Sequence, residues 1–128
     1  MALLGPMHAR EEADGQLRLG LHLRAAHMNH QEAAHGGFVA TLADNALGVN
    51  VARHLGKRVA TANLSVDYLA RVSVGDWLEV VSRIDKVGGR LVFAECSGQV
   101  ADRAVFKARG IFAVLPELPD ARKGDSEC

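Results

Sequence analysis

One stretch restricts this chain more than any other. His35-Gly36-Gly37-Phe38-Val39-Ala40-Thr41-Leu42-Ala43-Asp44-Asn45-Ala46-Leu47-Gly48, continuing to about Leu55, reads as a single helix stopped by Gly56-Lys57. At roughly twenty residues it is on the order of 30 Å long. Its apolar residues run almost all the way round, with Phe38, Val39, Leu42, Ala46 and Val49 on one side and Ala40, Leu47 and Val51 on the other. A helix of that kind is buried rather than laid on a surface. On the Ala40/Leu47/Val51 side, beside Gly37 and Gly48, stands a carboxylate, Asp44. A charge there must be paired, hydrogen-bonded or used in chemistry, because burying it bare is costly.

What covers the helix is legible from period-two patterns. Leu17, Leu19, Leu21 and Leu23 alternate with Arg18, Gly20, His22 and Arg24, which predicts a half-buried strand. Residues 25–34 read as a loop carrying Asn29. Beyond the helix, Ala60, Ala62, Leu64, Val66 and Tyr68 alternate with Thr61, Asn63, Ser65 and Asp67. Gly75-Asp76 turns the chain into Trp77–Val87, and Gly88-Gly89 is a hairpin signal leading to Leu91–Val100. A polar turn at Ala101-Asp102-Arg103 precedes the last strand, Ala104–Leu115. Residues 1–15 read as an N-terminal extension, 16–115 as the folded domain, and 116–128, with two prolines and many charges, as a frayed tail.

The order is thus strand, long helix, then four strands in an antiparallel meander. Such a chain predicts an α+β roll, a curved antiparallel sheet wrapped around a long central helix. One sheet cannot cover the whole circumference of an all-apolar helix, so the remaining side calls for a second copy of the chain.

Bulk composition narrows the function classes. With 128 residues the chain is long enough for one domain with a real core. Lys plus Arg and Asp plus Glu are both 15, so no net charge points to nucleic acid or an anionic membrane. No apolar run reaches spanning length, and Met1-Ala2-Leu3-Leu4-Gly5-Pro6 is too short for a signal-peptide core. Cys96 and Cys128 form no disulfide framework, so the expectation is a cytoplasmic, reduced protein. The six histidines show no ligand spacing, and His27 with His30 alone is insufficient, so no metal site is expected.

Element order and motif together resemble the hotdog-fold thioesterases, and the PaaI-like acyl-CoA thioesterase family in particular, over about residues 15–115. The residues that carry the resemblance are Asn29, then His35-Gly36-Gly37, then Asp44 followed by Asn45-Ala46-Leu47-Gly48. The family pattern is an Asn, a His-Gly-Gly at the helix start and an acidic residue nine positions after that His, and this sequence matches each point. The resemblance implies hydrolysis of an acyl-CoA or aryl-CoA thioester to a carboxylic acid and free CoA, by a homodimer or a tetramer built as a dimer of dimers. It implies no cofactor beyond the CoA carried by the substrate. It also implies that Thr61, counted back from Tyr68, stands near the reacting centre. The Lys86-Val87-Gly88-Gly89-Arg90 hairpin, with Asn63 and the Tyr68 neighbourhood, would hold the substrate.

The chemistry fits these residue types. Thioester hydrolysis needs an activated water or an attacking carboxylate, together with donors for the developing oxyanion. Asp44 is the only acid of the central helix and so the candidate for the first role, either as general base or as nucleophile. The alternative is an Asp that only makes a buried hydrogen bond. Gly36 and Gly37 sit where free N–H groups and the helix dipole favour negative charge, and the missing side chains admit a carbonyl. They could equally serve close packing against a strand, and the two uses are compatible. His35 is read as positioning rather than as the base, and the resemblance assigns Asn29 and Thr61 to hold water or carbonyl. Lys86 and Arg90 suit phosphates, although charged hairpin ends are often simply solvated. Two rival readings stay open: a hotdog enoyl-CoA hydratase or dehydratase using a His base, and a non-catalytic acyl-CoA-binding module.

Spacing adds one deduction. Gly36 and Asp44 are eight residues apart, about 12 Å along a helix, whereas a reacting carbonyl must lie about 3 Å from its oxyanion donor and close to the attacking group. If both residues act on one carbonyl, they come from two chains.

Overall fold

The computed structural model of the chain describes residues 7–28 and 36–117. Its elements are β1 (His8–Glu11), β2 (Leu17–His22), a short 3₁₀ turn (Ala25–His27), α1 (Gly36–Leu55), β3 (Val59–Tyr68), β4 (Trp77–Val87), β5 (Leu91–Val100) and β6 (Arg103–Val114). All pairings are antiparallel, and the order across the single curved sheet is β1-β2-β4-β5-β6-β3. The helix lies in the concave face of this sheet, as the sequence predicts.

Alternation builds the contact layer. Val92, Ala94, Cys96 and Gly98 of β5 face the helix, in register with Phe112, Gly110, Ala108 and Phe106 of β6. Two positions lack a side chain because another residue fills the space. The Phe112 ring and the Leu47 side chain occupy the place of a Cβ at Gly110, and the Phe106 ring does so at Gly98. At its end the helix is closed by Gly56 in the left-handed region (φ 66), whose N–H donates to the Ala52 carbonyl at 2.8 Å.

Four findings differ from the sequence reading. The first concerns which faces of the helix are covered. Leu47 and Val51 are buried together with Phe38, Leu42 and Ala46, while Ala40 and Val49 are only half-buried. A stripe of Ala40, Thr41, Asp44, Asn45, Gly48, Val49 and Ala52 is left partly open, because one sheet reaches round only part of a helix.

Secondly, the last four strands are not a simple meander. β3 pairs with β6 at an edge, and β4 pairs with β2 in the interior. The eight residues between β3 and β4 are too many for a tight turn, and they are held elsewhere: Leu69 and Ala70 donate to the Val105 carbonyl, and Leu23 N–H donates to the Asp76 carbonyl. Thirdly, part of the supposed extension belongs to the sheet, since His8–Glu11 pairs with β2 from His8↔Gly20 to Glu11↔Leu17. Its four exposed residues carry no apolar alternation to betray a strand. The tail beyond residue 117 lies outside the described residues.

The fourth finding is a bulge. The β3–β6 register shifts between Thr61 and Asn63. Strict alternation would place Thr61 on the face of Asn63, Ser65 and Asp67. The extra residue, Ala62, turns Thr61 toward the helix instead, opposite buried Phe112.

Two buried polar side chains fasten the helix. The Asn50 amide, 1% exposed, accepts from Leu17 N–H at 2.7 Å and donates to the Leu17 and Ala46 carbonyls. The His27 ring stacks on Phe38 with centroids 4.3 Å apart, and its Nδ1 accepts from Arg24 N–H at 3.0 Å. Among the described residues no helix is long and apolar enough to cross a membrane, and no group of His, Cys, Asp and Glu is arranged to hold a metal.

Candidate functional site

The half-open stripe of α1 places Asp44 where β3 begins. Thr61, re-aimed by the bulge, donates its hydroxyl hydrogen to Asp44 Oδ1 at 2.6 Å. A hydroxyl that close to a carboxylate is a charge-assisted bond, and it fixes the rotamer of the acid while leaving the other oxygen available. The pair opens into a cleft of about 500 Å³ running along the helix past Thr41, Asn45, Gly48 and Ala52, with Val59, Phe112 and Leu115 as its far wall and Arg58 at its end. Arg58 donates through Nη2 to the Pro116 carbonyl at 2.6 Å.

Gly36 opens a different cleft. The first residue of α1 is half-buried, and the hydroxyl of Tyr68 donates to its carbonyl at 2.9 Å. A Cβ at Gly36 would sit 3.5 Å from that hydroxyl, in ordinary contact, so the glycine is not there for space against Tyr68. The cleft measures about 610 Å³ and is walled by Val39, Val72, Leu78, Val105 and Phe106, with Gly37 and Tyr68 beside Gly36. Asp44 does not line it, and Gly36 does not line the Asp44 cleft. Strand β3 therefore meets the helix twice, through Thr61 at the acid and through Tyr68 at the helix start.

The structure thus brings together Asp44 with Thr61, and Gly36 and Gly37 with Tyr68. Asn29 and His35 lie outside the described residues. Asn63 is not brought to the acid. The same bulge leaves it on the outer face of the sheet, opposite Ile111, in a shallow cleft with Ser65, Phe93 and Arg109. Lys86 also lies on that outer face, opposite Phe93, after a second bulge between Ile84 and Lys86. Gly88, Gly89 and Arg90 form the tip of the β4–β5 hairpin, where Gly88 N–H donates to the Leu91 carbonyl at 2.8 Å.

Arg58 is the cleft residue that sequence reasoning missed. It follows the helix stop and joins the site only because Leu115 N–H donates to its carbonyl, aligning it with the end of β6. Arg90 flanks the same end from the other side, its carbonyl accepting from Val114 N–H at 2.9 Å. Helical spacing could have found the other lining residues, since Thr41, Gly48 and Ala52 fall on the Asp44 stripe at three-, four- and eight-residue offsets.

Comparison with known proteins gives consistent matches. Residues 31–106 match the family model described as the thioesterase superfamily. A Pseudomonas aeruginosa protein that carries an esterase name is 41% identical over 112 residues, covering 86% of this chain and 84% of its own. Among solved structures, a Bacillus halodurans protein crystallised with CoA superposes with a TM-score of 0.78 at 28% identity, covering 87% of this chain and 75% of its own. The Escherichia coli PaaI protein from the phenylacetic acid degradation operon superposes with a TM-score of 0.79 over 86% of this chain and 80% of its own, and at 17% identity it shows the shared fold alone.

Proposed function

The chain belongs to the thioesterase superfamily, and from that premise we propose that it hydrolyses acyl-CoA thioesters to a carboxylic acid and free CoA at a site shared by two copies. The observation that carries the reading is the division of one helix between two clefts, a carboxylate held by Thr61 in one and the glycine helix start in the other. One chain supplies the acid and the other the oxyanion donor, because about 12 Å of helix separates them within a chain.

In this reading Asp44 either takes a proton from water, whose oxygen adds to the thioester carbon, or adds to that carbon itself and is released by water in a second step. The carbonyl oxygen becomes an oxyanion facing Gly36 N–H of the second copy, a group left without an intrahelical partner by its position at the helix start. When the tetrahedral intermediate collapses, the C–S bond breaks with its electrons on sulfur, which takes up a proton as the CoA thiol. Thr61 holds Asp44, and Asn29 and His35 position water and carbonyl from the segment leading into the helix. Lys86 and Arg90 attract the nucleotide phosphates. The reaction requires no metal or redox cofactor, and the enzyme works in the cytoplasm as a homodimer or a pair of dimers. The half-open stripe of α1 and the open edge of β3 favour that assembly.

Mixed dimers test the shared site. Gly36→Pro removes the oxyanion N–H at a helix position that tolerates proline, and Asp44→Ala removes the acid. Each variant alone is expected to lose at least ~10²-fold in kcat. Purified dimers carrying one differently tagged copy of each contain one intact and one doubly defective site, so they should recover about half of the wild-type activity per dimer by that count. Mixed dimers as inactive as their parents would return both residues to a single chain and refute the mechanism.

A further inference from the structure

The two buried polar side chains that fasten α1 grip it at opposite ends. Asn50 ties a late turn to Leu17, whereas His27, also 1% exposed, holds the start. The helix opens on Gly36-Gly37, so Phe38 is its first residue with a side chain. The Phe38 ring, 3% exposed, stacks on His27 with the planes 21° apart. His27 in turn is held at backbone and ring. Its N–H donates to the Arg24 carbonyl at 2.9 Å, and its Nδ1 accepts from Arg24 N–H at 3.0 Å. One residue earlier the chain is anchored again, since Leu23 N–H donates to the Asp76 carbonyl and the Leu23 carbonyl accepts from Gly75 N–H, both at 2.9 Å.

A helix start is loosely determined from within. Its first N–H groups have no intrahelical partner, and glycine leaves the backbone its widest freedom. The direction of the Gly36 N–H therefore depends on what grips the first turn from outside. The Tyr68 hydroxyl grips it weakly: that side chain is 57% exposed, so water competes for the bond to the Gly36 carbonyl. The Phe38–His27 stack is closed to water on both rings, and a buried aromatic pair contributes beyond its area burial. The stack outweighs the exposed bond.

We infer that His27 is a positioning residue for the oxyanion donor, a role that rests on the thioesterase reading above and deepens it. Seated on the Arg24 turn, its ring fixes Phe38, and Phe38 fixes how the Gly36 N–H points. That donor must stand about 3 Å from the oxyanion, and a misplacement of ~1 Å costs up to ~10²-fold. The oxyanion exists only once the carbonyl carbon becomes tetrahedral. A loosened donor therefore lowers kcat and kcat/KM together and leaves KM in place. Asn50 is the built-in control, equally buried but fourteen residues from Gly36, about 21 Å along the helix.

The test combines thermal melts with steady-state hydrolysis of acetyl-, hexanoyl- and phenylacetyl-CoA by the full chain, read on the ester that wild type turns over fastest. His27→Asn keeps an acceptor near the place of Nδ1 and removes the ring, and Phe38→Leu keeps apolar bulk and removes the stack. Each should lower kcat by ~10-fold with KM within about twofold of wild type. Once Gly36→Pro has deleted the donor, adding His27→Asn should change kcat by less than about twofold, because residues that serve one group are not additive. Asn50→Leu should lower Tm and spare kcat. A His27→Asn chain that loses Tm but not kcat, or that costs a further ~10-fold in the Gly36→Pro background, makes His27 structural only and overturns the inference. Should His27→Asn not fold, Phe38→Leu, alone and with Gly36→Pro, decides by the same criteria. If Gly36→Pro is as active as wild type, or wild type hydrolyses none of the esters, the donor or the thioesterase reading itself fails. The inference then falls with it, by a result distinct from additive losses.

Discussion

The sheet ends in two edges that are built in opposite ways. At one end β1 is four residues long, fully exposed and bracketed by charge. Arg10 and Arg18 both reach Glu12, and Arg18 continues to Glu79, giving a chain of ion pairs across β1, β2 and β4. At the other end β3 is ten residues long and carries a single charge, Asp67, along Val59-Ala60-Thr61-Ala62-Asn63-Leu64-Ser65-Val66-Asp67-Tyr68. Short and charged edges resist pairing with another chain, whereas a long uncharged one invites it. The inviting edge is also the one whose side chains reach Asp44 and Gly36. Shortness and a run of charges thus guard β1, whereas β3, the edge that carries the site, has only the bulge at Ala62 and the single charge of Asp67.

The contrast can be broken at its functional side. Asn63→Lys with Ser65→Lys puts like charges in the middle of β3, where two antiparallel copies would oppose them. This variant is expected to elute as a monomer and to lose ~10²-fold or more in hydrolysis, since neither acid nor oxyanion donor then has its counterpart. Light scattering coupled to size exclusion measures the first and steady-state kinetics the second. A single added lysine at Ala9 on β1 should change neither. A fully active monomeric double-lysine variant would show that β3 is open for some other reason.

The β1 side depends instead on the helix. Asn50 bonds Leu17 through both N–H and C=O, so Asn50→Leu leaves those two backbone groups unpaired. The expected loss is about 1–3 kcal/mol of folding stability, read by denaturant melts, with hydrolysis by the remaining folded protein little changed.

A finer probe compares the two contacts of β3 with the helix. Thr61→Ala removes the hydroxyl on Asp44 and should lower kcat by about 10-fold. Tyr68→Phe removes only a bond to the Gly36 carbonyl and should cost about threefold or less. Equal losses would mean that the carboxylate is not the group Thr61 serves.

The smallest expected effect concerns the charged edge. Arg18, then Arg10, holds the Glu12 carboxyl below its usual range, while the Trp77 N–H, and after it Arg18, does the same for Glu79. Both carboxylates have depressed folded values, so the stability they contribute is present above their unfolded pKa and is lost as pH falls through the folded one. Arg18→Ala should therefore show a slightly smaller drop in Tm between pH 7 and pH 3 than wild type.

Much of the site was legible in the sequence because it rests on local rules. Asp44 stands out as the one acid of a largely apolar helix, and Gly36-Gly37 as its start, whatever the rest of the fold does. Thr61 was named only through the family resemblance, and strict alternation would have turned it away from the helix. Arg58 and Asn50 were not found at all, since their partners, Leu115 and Leu17, are far away in the chain.

What the sequence by itself determined, then, is whatever depends on neighbours three, four or two residues away: the helix and its stop, the inward rows of β5 and β6, and the hairpin at Gly88-Gly89. Tertiary structure decided what depends on pairing between distant segments. An alternating strand fits equally well beside β4 or β6, and in the folded chain β3 lies beside β6, with the loop after it held at the Val105 carbonyl. The bulge at Ala62 likewise has no local mark, because an extra residue is defined only against the partner strand. That one misfit in pairing turns Thr61 onto Asp44 and sends Asn63 to the opposite face.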